Sequence, residues 1–315
     1  ERLVTHPNDD LPALRQLFLT LLLAEVDAPV DAGGKGELLQ VRIDKLLALG
    51  ALEQAAALIE AAGSDSPEMF RRAFDVALLT GAEDRACERM AQTPHLAPTV
   101  PARIFCLARS GDWDTAALTL HNAEALGEIS PDQAHVLARF LDPDLFEGEP
   151  VPRAPSPVTP LDWKIYEAIG EPLPTDTLPI AFSSAEISPR AGWKAQIEAA
   201  ERLTRAGTIP PNVILGLYTE REPAASGGVW DRVAAFQDFE AALASGDLGR
   251  IGQTLPAAWW RMQEAELEVP FAMLFGKALI ELQRSVQETR EGLNPRVNID
   301  YVVSTIFDGR TLVAK

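Results

Sequence analysis

Three glycines recur at nearly equal intervals in the first half of the chain, and this repeat constrains the fold more than any other feature. Gly50, Gly81 and Gly111 lie 31 and 30 residues apart. A small and a large apolar residue follow each glycine at offsets of five and nine, namely Ala55, Ala86, Ala116, Ile59, Met90 and Leu120. A period of this length with matched small and apolar positions is typical of a helical solenoid. The chain is therefore predicted to be all-α, with stacked helical hairpins in its first half.

The residue types at these positions suit the turns of such hairpins. Glycine can end a helix with a positive φ at little cost. Asp112 can then accept hydrogen bonds from the free N–H groups that begin the next helix. The alanines allow the two helices to approach closely, and Pro67 and Pro98 break the chain before the next hairpin. This pattern predicts capping and surface roles for Asp112 and Asp114 instead of catalysis.

Residues 111–123 resemble the second half of a tetratricopeptide repeat, in which Gly-Asp-Tyr precedes an alanine, a large apolar residue and a second alanine. The matching residues are Gly111, Asp112, Trp113, Ala116, Leu120 and Ala123. The first unit is similar at Gly50, Ala55, Ile59, Ala62 and Pro67. Gly246-Asp247-Leu248 repeats the turn later in the chain. The resemblance implies a TPR-like helical-repeat solenoid, a scaffold that binds a protein or peptide in its groove.

Proline content separates two predicted helical lobes. Ten of the 24 prolines lie between residues 143 and 189, which excludes a long helix and indicates an extended connector. The connector is a linker, a belt docked across the solenoid or a ligand for an aromatic-lined partner, and it contains one short helix ending at Gly170. The apolar residues of that helix are Trp163, Ile165, Tyr166 and Ile169. The predicted regions are 1–142 and 191–292 for the lobes, 143–190 for the connector and 293–315 for the tail.

The tail differs from the rest of the chain. It is rich in β-branched residues, and Asp308-Gly309 between apolar runs is typical of a two-residue β-hairpin turn. Residues 293–315 are therefore predicted to form a short β-hairpin or an extended tail. The hairpin either packs on the second lobe or pairs its edge with another chain.

No catalytic motif is present in the sequence. The four histidines are scattered, and the sequence lacks a His-Glu-x-x-His pair, a Gly-x-Ser-x-Gly elbow and a phosphate loop. We expect a protein that is not an enzyme and has no cofactor, metal or catalytic residue. The candidate binding residues are Arg72 and Arg85 in the groove and Glu220, Arg221, Ser226 and Trp230 in a glycine-containing loop. The loop is either a recognition site or an ordinary helix start with Trp230 in the core.

Net charge, hydropathy and cysteine content limit the kinds of partner and site that we expect for this chain. The net charge of −18 disfavours nucleic acids and anionic membranes and suits basic partners or simple solubility. The longest apolar run, residues 17–26, is shorter than the roughly 20 residues of a membrane span, so no direct membrane insertion is expected. Cys87 and Cys106 match no metal or redox spacing and are predicted to be buried free thiols. The oligomeric state stays open.

An alternative function follows from architecture. The soluble lytic transglycosylases of bacterial envelopes also carry an α-superhelix, and the chain resembles that part without the family's catalytic Glu-Ser pair and Gly-Leu-Met-Gln stretch. The alternative is a bacterial envelope protein that acts on or assists peptidoglycan processing. Because the chain begins at Glu1 and not at Met, an exported, periplasmic location is favoured over the cytoplasm.

Overall fold

The computed structural model describes residues 12–25 and 36–289. The described residues form fifteen α-helices and no strand, which confirms the all-α class. The helices of the first part are α1 Pro12–Leu23, α2 Glu37–Ala48, α3 Leu52–Ala62, α4 Pro67–Thr80, α5 Glu83–Gln92, α6 Val100–Arg109, α7 Trp113–Ala125, α8 Pro131–Leu141 and α9 Pro160–Ala168. They are followed by α10 Ser183–Glu186, α11 Trp193–Arg205, α12 Asn212–Glu220, α13 Val229–Ser245, α14 Leu248–Glu264 and α15 Glu268–Thr289. The predicted hairpin of the tail lies outside the described residues.

Residue contacts divide the described chain into two compact units. The first unit comprises residues 20–25 and 36–185, and the second comprises residues 12–19 and 186–289. The predicted region boundaries at residues 142, 190 and 292 stay predictions. Each unit has its own apolar core.

The turns of the first unit have the predicted construction. Gly50, Gly81 and Gly111 have φ angles of 79°, 74° and 84°, a region that favours glycine. The side chain of Asp112 caps α7 by accepting a hydrogen bond from the Thr115 amide at 3.3 Å. Successive helices from α2 to α8 pack against one another. The three glycines and Asp112 therefore lie at helix ends, as predicted.

The proline-rich stretch is docked on the first unit. Its helix α9 packs against α4 and α8, and its apolar side chains enter the core of that unit. The indole Nε1 of Trp163 donates to the carbonyl oxygen of Leu173 at 3.1 Å, and the Tyr166 hydroxyl donates to that of Pro152 at 2.8 Å. The predicted short helix is confirmed, and it begins with a capping box formed by Thr159 and Asp162.

The two cysteines are not free thiols, so that prediction is wrong. Cys87 on α5 and Cys106 on α6 form a disulfide, with their Cα atoms 5.0 Å apart. The packing of α5 on α6 brings together two residues that are 19 positions apart in sequence. The spacing of the cysteines carries no information about this contact, because the contact depends on how the two helices pack.

An aromatic cluster forms the core of the second unit. The ring centroids of Phe236 and Phe239 on α13 lie 5.4 and 5.1 Å from that of Phe275 on α15. Helix α14 packs against α13 after a turn in which Gly246 has a φ of 68° and Asp247 caps the new helix. This turn repeats the glycine-aspartate construction of the first unit.

Candidate functional site: the tryptophan surface

The two arginines predicted to line the groove have different environments. Arg72 on α4 is only 8% exposed. Its Nε and Nη2 donate to the two carboxylate oxygens of Asp44 at 2.7 and 2.6 Å. Its Nη1 donates to the Glu68 carbonyl oxygen at 2.8 Å. Arg72 is therefore an internal ion-pair residue and does not face an open groove. Arg85 on α5 is exposed.

The chain's own connector covers part of the surface on which a groove was expected. Helix α9 lies on α4 and α8, and Lys164 of α9 extends its Nζ to 3.6 Å from the buried Glu83 carboxylate. Residues 151–173 also contribute apolar side chains to the same core. A partner peptide cannot occupy this part of the first unit while the connector is in place.

The other four candidate residues lie together in the second unit, at the connection between α12 and α13. Glu220, Arg221 and Ser226 are exposed, and the Nη2 of Arg221 lies 2.8 Å from the Glu220 carboxylate. The amide of Gln237 donates to the carbonyl oxygens of Tyr218 and Arg221 at 2.6 and 2.7 Å. These bonds fix the first end of the loop.

The second end of the loop is fixed by Asp231 on the first turn of α13. One carboxylate oxygen accepts a hydrogen bond from the Gly227 amide at 2.8 Å. The other accepts from the Nη2 of Arg261 on α14 at 3.1 Å. Asp231 therefore links the loop to the exposed face of α14. The sequence does not predict this contact between the loop and α14.

Three tryptophans are connected to this linkage, either as sequence neighbours or through ring contacts. Trp230 is partly buried against the core, and its ring centroid is 5.1 Å from that of Trp193, whose Nε1 donates to the Leu217 carbonyl oxygen at 2.9 Å. Trp260 is 53% exposed, and the guanidinium carbon of Arg261 lies 4.8 Å from its ring centroid. Its neighbour Trp259 is buried, because adjacent residues of a helix point about 100° apart.

We define the tryptophan surface as Trp193, Trp230, Asp231, Trp260 and Arg261 together with the loop 221–228. Its aromatic and guanidinium groups are the types most often found where protein interfaces gain their binding energy. The sequence pattern identifies the loop and Trp230 as candidate binding residues, but nothing in it points to Trp193 or Arg261. The missed residues lie on α11 and α14, and only tertiary packing brings them to the loop.

A buried polar network lies next to this surface. Arg232 on α13 donates through Nε and Nη2 to the Glu201 carboxylate at 2.8 and 2.7 Å, and the Tyr218 hydroxyl donates to the same carboxylate at 2.5 Å. Burial, and then the Glu201 charge, raise the pKa of Tyr218 well above its usual value. Burial alone would lower the pKa of Arg232, but the bonds to Glu201 outweigh burial and raise it.

The network fixes the position of the first turn of α13. Its three residues come from α11, α12 and α13, and their polar atoms are directed at one another inside the unit. Arg232 directly follows Asp231 in the chain. The buried ion pair therefore holds the first turn of α13, and with it the carboxylate that organises the loop.

Among residues 12–25 and 36–289, no group of three or more histidine, cysteine, aspartate or glutamate side chains could hold a metal ion. In the same part of the chain, no helix has both the length and the apolar character needed to cross a bilayer. Comparison with protein-family models, with curated proteins and with solved structures finds no match to this chain.

Proposed function

We propose that this chain is a non-enzymatic helical-repeat scaffold that binds a protein or peptide partner through the tryptophan surface. The TPR-like part of the proposal is supported by the glycine turns of the first unit and by Gly246-Asp247 in the second. Stacked helical repeats of this kind present extended binding surfaces. Solenoid architecture by itself does not identify the ligand, so the proposal depends on the surface.

The observation that carries the proposal is the exposure of Trp260 beside a loop that is fixed at both ends. A large aromatic ring that is half exposed adds contact area to an interface with few rotatable bonds to immobilise. The guanidinium of Arg261 lies near this ring and is itself held by Asp231, so the guanidinium is preorganised before a partner arrives. Preorganisation lowers the entropic cost of binding.

The charge of the chain favours a partner with basic groups. The net charge is −18, and the arginines of the tryptophan surface already have acidic neighbours, with Arg221 paired to Glu220 and Arg261 to Asp231. Since both cations are neutralised locally, the surrounding acidic field is what an approaching partner meets. Such a field speeds the association of a basic partner and repels an acidic one.

Photo-crosslinking tests this proposal and has a matched control within the chain. A photoreactive amino acid is placed at Trp260 in one variant and at Trp113 in another, since Trp113 is also about half exposed but lies in the first unit. We expect illumination of cells that make the full chain to give a protein adduct from position 260 that is missing from position 113. Identical adducts from both positions, or none from position 260, would contradict the proposal.

The same experiment separates the alternative function from the leading one. An envelope protein that assists peptidoglycan processing would give adducts that contain muropeptides. Digestion of the adduct with a murein hydrolase, followed by mass spectrometry, distinguishes a glycan adduct from a protein adduct. A glycan adduct at position 260 favours the alternative and counts against the protein-binding scaffold.

A further inference from the structure

The disulfide of the first unit is buried and contains both cysteines of the sequence. The sequence has two cysteines in all, and both are consumed in the one bond. Cys87 and Cys106 are 5% and 6% exposed and belong to the same apolar core as Met90 and Ala116. Nothing in the repeat pattern requires sulfur at either position, since the repeat specifies only small and apolar residues nearby.

We propose that this bond is a permanent structural crosslink that forms in an oxidising compartment, such as a bacterial periplasm. Disulfides persist in such compartments and are rare in a reducing cytosol. Two buried cysteines with Cα atoms 5.0 Å apart lie within the range that a disulfide spans. The inference concerns where the chain matures and is independent of the partner-binding surface.

The chemistry of formation follows from burial. Each thiol loses its proton and the pair loses two electrons as the S–S bond forms, and a disulfide donor, either a small molecule or a protein, takes up both electrons and both protons and becomes two thiols. Exchange of this kind requires a thiolate to approach a sulfur atom directly. Since both cysteines are nearly inaccessible in the folded unit, the exchange takes place either before α5 and α6 have packed or while the pair is locally open.

The same burial argues against a regulatory role for the bond. A redox sensor needs an accessible, low-pKa cysteine beside a resolving thiol. Here the chain has no third cysteine, and the bond lies in the core. Reduction in the folded state should therefore be slow and should require local opening of the α5–α6 pair.

Thiol trapping in cells that naturally make the full chain tests where the bond exists. Cells are quenched with acid, the protein is denatured, and thiols are labelled with a large maleimide before and after reduction. We expect no label before reduction and two labels afterwards. Two labels on the unreduced protein from its native source would overturn the proposal.

Reduction kinetics of the purified oxidised protein test the structural role without a variant that could fail to fold. We expect dithiothreitol to reduce the bond at least about tenfold more slowly in native buffer than in denaturant, because a buried sulfur is shielded from attack. Equal rates under both conditions would show an accessible bond and contradict the permanent crosslink. Peptide mapping without reduction identifies the Cys87–Cys106 pair in the same sample.

Discussion

At the scale of single residues, the buried ion pairs carry the clearest consequences. Arg232 is partly buried and forms two hydrogen bonds with the nearly inaccessible Glu201. Loss of one partner leaves the other charge uncompensated inside the unit, and this costs more than the pair contributes. Arg72 in the first unit is nearly buried as well, but its partner Asp44 is 37% exposed, so the argument from a buried charge does not extend to that pair. Arg72 is unsuitable as a test of groove binding because it is already paired and does not face solvent.

We expect Arg232→Ala to lower the free energy of unfolding of the second unit by about 3–5 kcal/mol. Urea unfolding followed by fluorescence of the tryptophans measures this change. The matched control is Arg221→Ala, which removes an exposed arginine paired with Glu220 and should cost less than about 1 kcal/mol. Similar losses in both variants would argue against a stabilising role that is specific to the buried network.

Asp75 on α4 predicts a pH dependence of the first unit. Desolvation raises the pKa of its carboxyl from 3.8 to about 6, although Arg71 and Arg72 act in the opposite direction. The folded unit therefore binds this proton more tightly than the unfolded chain does. The charged carboxylate reduces stability above about pH 6, and this penalty disappears as the pH falls towards 4.

Asp75→Asn should remove this contribution. We expect the unfolding free energy of the wild type, relative to the variant, to increase by on the order of 3 kcal/mol between about pH 7.5 and about pH 4. Denaturant titrations of both proteins at each pH measure the difference and cancel the other titrating groups. A difference that does not vary with pH, or that decreases as the pH falls, would contradict this account.

At the scale of helices and turns, the properties of neighbouring residues were sufficient to predict where several helices begin and end. Gly111 and Asp112 specify a helix end and a helix start by their own backbone and side-chain properties, and the structure has both. The short helix α9 was likewise predicted from its apolar residues and its stop at Gly170. Such features depend on neighbours in sequence, so a single sequence contains them.

Features that depend on distant residues were not predictable. The disulfide requires α5 to pack on α6, and the pairing of Trp193 with Trp230 requires α11 to lie beside α13. The burial of Arg72 depends on Asp44, which is 28 positions away. A repeat with loosely matched positions does not give the register of these contacts.

The role of Asp112 as a helix cap can be tested directly. We expect Asp112→Ala to cost about 0.5–2 kcal/mol of stability, because the Thr115 amide loses its acceptor. Asp112→Asn should retain most of the stability, since asparagine caps helices about as well as aspartate. Thermal unfolding of both variants and of the wild type measures the loss of stability in each. A loss in the asparagine variant as large as that in the alanine variant would point to a requirement for the charge beyond capping.

At the scale of the whole molecule, we propose different roles for the two units. The first unit holds the chain's own proline-rich connector against α4 and α8 and is crosslinked by its disulfide. The second unit presents an exposed tryptophan beside a fixed loop. We therefore propose that a partner binds the second unit, and that the net charge of −18 favours a partner with basic groups.

The most direct test of this assignment is the affinity of two matched variants for the partner recovered by crosslinking. Calorimetric titration of the full chain should give a Kd that is about tenfold or more weaker for Trp260→Ala, as expected for the loss of a central aromatic contact. Trp113→Ala removes an equally large exposed ring from the first unit and should leave the Kd within about twofold of the wild type. Unchanged affinity in Trp260→Ala, or an equal loss in Trp113→Ala, would contradict the placement of the binding site on the tryptophan surface.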